Sequence, residues 1–179
     1  MSKIGKISIS IPEKVKVVLA GNMLNIEGPL GKKSIDIDLE MFNLDIKEGK
    51  EISIKPKKID QNTKRLWGMN RSLLNNAIIG VSKGYEKTLE LVGVGFRATL
   101  KGNQLNMQLG FSHDINFNIP EGIKIVVEKQ TTLKISGYDK QKVGMVVSEI
   151  KSLRPPEPYK GKGIKEKDQY ILRKEGKKK

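Results

Sequence analysis

The sequence predicts an α+β protein: two homologous tandem domains, each an antiparallel sheet packed with one helix, followed by an extended basic C-terminal arm. Three observations carry this. Leu19-Ala-Gly-Asn-Met-Leu-Asn25 and Leu100-Lys-Gly-Asn-Gln-Leu-Asn106 agree at five of seven positions at an offset of 81. Short segments alternate apolar and polar residues between turn residues. One amphipathic stretch of helical period then closes each half. The offset of 81 also relates Ile52-Ser-Ile54 to Leu133-Lys-Ile135, and an Asp followed by a Gly-Met pair comes after both, at Asp60 with Gly68-Met69 and at Asp139 with Gly144-Met145. Features repeated in the same order point to duplication rather than coincidence.

Within the first half, Val15 to Leu19, then Gly21-Asn22, then Met23 to Ile26 forms the pattern of a hairpin, and Arg97 to Leu100, Gly102-Asn103 and Leu105 to Leu109 form its copy. Strands are also expected at Ile35 to Leu39, Ile52 to Lys55, Ile123 to Glu128 and Leu133 to Ser136. In the first helix Leu66, Leu73, Leu74, Ala77 and Ile78 share one face, with Asp60 or Asn62 as N-cap and Gly80 near the stop. Trp67 is expected to pack at the surface of that helix. In the second, Val143, Val146, Val147, Ile150 and Leu153 share a face, and Pro155-Pro156 forbid continuation. An apolar sheet face and an apolar helix stripe cover each other in two layers. The expected division is therefore 1–82, 83–153 and 154–179, with a join near Val81 to Gly84.

The last segment begins Arg154-Pro-Pro-Glu-Pro-Tyr-Lys-Gly-Lys-Gly-Ile164. Its three prolines and its basic and glycine residues are not expected to build a core, and a polyproline-like arm loses little entropy when it lies along a phosphate backbone. Residues 151 to 179 hold eleven basic and four acidic side chains, a balance of +7 that is half of the whole chain's +14. So large an imbalance calls for a polyanion, either nucleic acid or an anionic membrane. No run approaches the roughly 20 apolar residues of a membrane span, and the N-terminus lacks the apolar core of a signal peptide, so a soluble protein is expected. The chain has no cysteine, which excludes disulfides, thiolate metal sites and cysteine nucleophiles.

No seat for enzyme chemistry or for a cofactor stands out. Gly93-Val-Gly-Phe-Arg-Ala98 fits the dinucleotide pattern G-x-G-x-x-A, but it runs into a strand and no acidic residue follows about 20 positions on. Its glycines are expected to serve a bulge or a close backbone approach. Gly161-Lys-Gly163 lacks the spacer and Ser/Thr of a P-loop, yet its small residues and flanking ammonium groups suit an RNA backbone. His113 is the lone histidine and has no soft partner for a zinc site. Asp36 and Asp38 are expected to face solvent. Aromatic residues make up only 5%, so no broad base-stacking platform is indicated. Tyr159, among Pro158, Lys160 and Lys162, is placed either on RNA or back on the second domain.

Pro156-Glu-Pro-Tyr-Lys-Gly-Lys-Gly-Ile164 resembles the signature of the family of ribosomal protein six of the large subunit. Ser2-Lys-Ile-Gly-Lys6, Ile11-Pro12, Gly28-Pro29, Arg71 with Asn76, Leu89-Glu-Leu-Val-Gly-Val-Gly-Phe-Arg-Ala98 and Arg173-Lys-Glu-Gly-Lys177 follow the family's order over nearly the whole chain. The resemblance implies two homologous α+β domains. It also implies contact with large-subunit ribosomal RNA through the C-terminal domain and arm, neighbouring large-subunit proteins, and a place near the elongation-factor site. The chain departs from the family pattern at Glu166, where an aromatic residue is frequent, and at Gln169, where an acid is usual.

The expected function is that of a structural, non-enzymatic constituent of the ribosome that stabilises ribosomal RNA, in the cytoplasm, with an organellar ribosome left open. Arg154, Lys160, Lys162, Arg173 and Lys174 are expected to neutralise phosphates, Gly161 and Gly163 to permit close approach, and Tyr159 to pack on RNA, with Arg97 as a weaker candidate. No metal, membrane or small-molecule substrate is expected. The rivals are a free RNA chaperone that binds structured RNAs without a fixed site, and a nucleotide-dependent catalyst using Gly93 to Ala98. Truncation before Arg154 is expected to leave both domains folded and to abolish stable RNA association.

Overall fold

The computed structural model describes residues 3–47 and 50–176. Ser2 and Lys177, which belong to the two terminal motifs above, and the last residues of the expected arm lie outside that range. The chain divides into two compact units, Met1–Gly84 with Tyr138–Lys140, and Tyr85–Gly137 with Gln141–Lys179.

In unit 1, β2 (Lys16–Ala20), β3 (Met23–Gly28) and β4 (Gly31–Asp36) form one antiparallel sheet. A second sheet has the order β1 (Ile9–Ser10), β6 (Glu51–Pro56), β5 (Phe42–Lys47). The helix α1 (Gln61–Ser82) covers both, and Leu24, Ile26, Ile37, Phe42, Ile52, Leu74 and Ile78 are buried in a shared core. Asp60 is its N-cap, in a reciprocal capping box with Thr63. The helix runs past Gly80, which is buried, and the chain turns only at Gly84, whose φ of +78° suits glycine.

Two details of α1 differ from the sequence expectation. Leu73 is exposed and Trp67 is buried. The Trp67 Nε1–H donates to the carbonyl of Ile54 at 2.7 Å, so the ring enters the core without leaving a donor unpaired. Gly5 lies against that ring, and a Cβ there would stand 2.5 Å from it.

Unit 2 repeats the topology. β8 (Arg97–Lys101), β9 (Gln104–Gln108) and β10 (Ile115–Asn118) match β2 to β4, while β7 (Tyr85–Val92), β12 (Thr132–Gly137) and β11 (Ile123–Glu128) match β1, β6 and β5. Gly21 and Gly102 open the equivalent hairpin turns with φ of +61° and +60°, a backbone that glycine adopts at the first central position of a primed turn. The helix α2 (Lys140–Leu153) buries Val143, Val146, Val147 and Ile150, as its periodicity predicts. Each unit thus holds two antiparallel sheets rather than one. Alternation finds hairpins, but β7 is not among the expected strands, because only its second half alternates, with Leu89 and Leu91 buried on either side of Glu90.

Unit 2 also has an element with no counterpart. β13 (Gly163–Glu166) pairs antiparallel with β7, setting Gly163 opposite Val92 and Glu166 opposite Leu89. Ile164 is 0% exposed and belongs to the core of the unit. The expectation of an arm that joins no core is therefore corrected for this stretch: an open edge of β7 accepts it, and one apolar side chain anchors it. The expectation that truncation before Arg154 leaves both domains folded is not compatible with that packing.

Candidate nucleic-acid interface

The segment from the end of α2 to β13 is a closed loop. The N–H of Ile164 donates to the carbonyl of Arg154, that of Glu157 to Lys162, and that of Gly161 to Glu157, at 2.9, 2.8 and 3.0 Å. Gly163 has a φ of +142° and is buried; a Cβ there would lie 2.6 Å from both the Pro155 oxygen and the Pro156 Cα. The chain's own backbone, rather than an approaching RNA, accounts for glycine at that position. Gly161 has a φ of +70°, and the Arg173 guanidinium lies about 3.5 Å from where its Cβ would stand. Both glycines shape the loop, and Tyr159, Lys160 and Lys162 are exposed on it.

The tail returns to the same place. The Lys174 N–H donates to the carbonyl of Pro158 at 2.8 Å, so Arg173 and Lys174 stand beside the loop that carries Tyr159, Lys160 and Lys162. Ion pairs show which cations are committed within the protein. Lys87 and Lys151 bind Glu166, Lys165 binds Glu90, and Lys134 binds Glu128. Among the described residues, Lys160, Lys162, Arg173 and Lys174 pair with no carboxylate, and all four are exposed. Four sequence-predicted cations and Tyr159 are thus gathered on one surface.

Arg154 stands at the base of that loop, and Arg97 at the start of β8. The guanidinium of Arg154 lies 5.0 Å over the centre of the Phe111 ring, which stacks on His113 with ring centres 6.0 Å apart. Phe111 and His113 are exposed residues of the β9–β10 loop that the sequence reading did not single out as a surface. An aromatic residue next to the lone histidine in a Gly-Phe-Ser-His turn is the available signal. Arg97 is exposed at the start of β8, opposite Gln108. It follows the Gly93–Gly95 turn, where Gly93 makes room for the Phe96 ring and Gly95 has a φ of +78°. A strand follows that turn, as expected, and no helix N-terminus is there to hold a pyrophosphate.

The two departures from the family pattern meet each other. The Glu166 N–H donates to Gln169 Oε1 at 3.4 Å, and the Gln169 N–H returns a bond to the Glu166 carbonyl at 3.0 Å. The Lys87 and Lys151 ammonium groups, at 2.8 and 3.0 Å, hold the Glu166 carboxyl below the ordinary glutamate pKa, against a smaller opposing effect of burial. This triad ties β13 to β7 and α2.

A chain-length match decides what this architecture belongs to. The large ribosomal subunit protein uL6 of Beijerinckia indica is 45% identical over 179 residues, covering 100% of both chains. The chain belongs to the ribosomal protein L6 family. The uL6 proteins of Zymomonas mobilis and Caulobacter vibrioides are 48% and 47% identical, again over 100% of each chain. The sequence model described as Ribosomal protein L6 matches residues 92–167, which span β8 to β13 and the loop just described. Members of the L6 family are structural, non-enzymatic components of the large ribosomal subunit. No helix among the described residues is long and apolar enough to cross a membrane.

Proposed function

We propose that this chain stabilises large-subunit ribosomal RNA near the elongation-factor site, through the surface made by the α2–β13 loop and the returning tail. Its structural place in the large subunit comes with the family. The observation that carries the RNA reading is the Lys174 to Pro158 bond, which collects Lys160, Lys162, Arg173 and Lys174 without a carboxylate partner beside an exposed Tyr159. Such a surface neutralises phosphates and offers one ring for stacking, which suits a folded RNA held by shape and backbone rather than read by sequence. Arg154 adds a cation over the Phe111 and His113 rings, and Arg97 a further one on β8. Gly161 and Gly163 act by setting the loop's shape. Neighbouring large-subunit proteins complete the site, and the bacterial relatives put it in the cytoplasmic ribosome.

The test is sedimentation of the full-length chain with large subunits depleted of this protein, in high salt. The expected result is that the full chain is retained and that a K160Q/K162Q/R173Q/K174Q variant, folded by circular dichroism, is released. Retention of the variant overturns the assignment of this surface. Equal binding of the full chain to unrelated structured RNAs favours a free RNA chaperone. Cross-linking of the bound chain to an elongation factor tests the location.

A further inference from the structure

In unit 2 one sheet ends on β8 and the other on β11, and each of these strands is paired on one side only. The turn after β11 ties them together at one end, where the Ala98 N–H donates to the Gln130 carbonyl at 2.8 Å. No ladder joins the two strands beyond that bond, and between them lies a groove of about 600 Å³. In an antiparallel pair every second residue turns its N–H and C=O away from the partner. The Ala98 N–H points away from β9, so the Leu100 N–H, two residues on, points the same way, into the groove. The floor is apolar: Ala98 and Ile125 are buried, Val127 is half-buried, and Leu100 is 44% exposed.

Charge and precedent say what fits. Lys124 and Lys129 line the groove, and none of the described residues lining it is a carboxylate. Neither lysine forms an ion pair among the described residues, whereas Lys134 on the adjoining β12 holds Glu128. Lys129 and Gln130 have φ of +52° and +59°, a backbone that glycine or asparagine adopts more easily, so the turn does not account for lysine at 129. The other end of the same sheet shows what an open edge here accepts. There β13 adds to β7, anchored by Ile164, with Lys165 paired to Glu90 across the two strands. At β11 the cations stand on the sheet, so an added strand brings the carboxylates. Phosphate would meet the lysines but would gain nothing from the apolar floor and would be repelled by the free carbonyls of the strand edges. A second copy of the chain, itself at +14, is repelled by charge.

We propose that this groove receives an extended segment of a neighbouring protein, alternating acidic and apolar residues, which adds as a strand to the free edge of β11. The alternation follows from β11 itself, where Ile125 and Val127 face the core and Lys124 lies on the opposite face. The apolar side chains of the added strand cover Val127 and Leu100, its carboxylates meet Lys124 and Lys129, and its backbone continues the ladder. The groove shares none of its lining residues with the RNA surface, so the two assignments stand or fall separately.

The test is a titration of the full-length chain with a blocked peptide of alternating glutamate and valine, followed by the NMR signals of the Leu100 and Val127 backbone amides. A polyglutamate peptide of equal charge measures what attraction to a basic chain does alone. Two further peptides, N-methylated at the valines or at the glutamates, remove the backbone donors of one strand edge or the other. The expected result is a saturable shift of both amides, with at least tenfold weaker binding of polyglutamate and of one N-methylated peptide. A K124Q/K129Q variant, whose exposed side chains leave the core untouched and whose fold is checked by thermal melting, should bind at least fivefold more weakly. Absence of a shift, equal affinity for polyglutamate, equal affinity of both N-methylated peptides, or an unaffected variant each overturns the proposal. So does an equal response of these amides to an RNA duplex, or to raising the concentration of the chain alone, which would make the groove a nucleic-acid or self-association site.

Discussion

Lys174 hydrogen-bonds through its backbone N–H to the Pro158 carbonyl, and that one contact turns two separate basic stretches of the C-terminal segment into a single surface. Because the bond is made by backbone groups, side-chain substitutions on the surface should change RNA affinity without unfolding it. Replacing Lys160, Lys162, Arg173 and Lys174 with Gln should weaken binding to large-subunit RNA and flatten its salt dependence. Each lost phosphate contact lowers the slope by roughly 0.9 on the duplex-derived scale. Filter binding at several salt concentrations checks this, and an unchanged slope would place the phosphates elsewhere.

The folded role of β13 separates two truncations. A chain ending after Gln169 keeps the β13–β7 pairing and loses only Arg173 and Lys174 from the surface, so it should melt close to the full chain while binding RNA less tightly. A chain ending before Arg154 exposes the β7 edge and uncovers the core where Ile164 sits. It should unfold at clearly lower urea. Ile164→Ala alone should cost about 2–4 kcal/mol, since it empties a fully buried site.

Gly163→Ala should destabilise by about 2 kcal/mol or more in urea titration. The new methyl meets the Pro155–Pro156 backbone, and a φ of +142° strains any L side chain. Gly144→Ala is the control, because nothing lies within 4 Å of its Cβ position and it is on the helix. It should be neutral or slightly stabilising.

The Glu166 triad gives a pH signature. Its carboxyl has a lower pKa folded than unfolded, so the stabilisation is present above the ordinary glutamate value of 4.5 and is lost as pH falls through the depressed folded value. Urea titrations of the natural chain and of Glu166→Gln should differ by about 1 kcal/mol or less near neutral pH, since the group is partly solvated. The difference should shrink in acid below pH 4.5. A difference that persists unchanged there would show that the charge of Glu166 is not responsible.

Much of this architecture was legible in the chain. The Gly21 and Gly102 turns, the helix faces of Leu74 to Ile78 and Val143 to Ile150, and the break at Pro155-Pro156 are local signals, set by backbone sterics and a period of two or 3.6 residues. The unpaired basic residues were likewise legible as charge. Trp67 was not legible as core, because its polar handle suits a surface position unless a buried partner is at hand, and that partner, the Ile54 carbonyl, comes from a separate strand.

By itself, then, the sequence determined the duplication, the α+β class, the helices, the hairpins and the placement of half the positive charge beyond residue 150. Tertiary structure decided that Ile164 joins a core and that Gly163 is small for the sake of Pro155 and Pro156. It also decided that Arg173 and Lys174 lie beside Lys160 and Lys162. The reason is physical: turns and periodicities are written in neighbouring residues, whereas an open strand edge, a buried indole's partner and a collected charge arise only when separate segments meet.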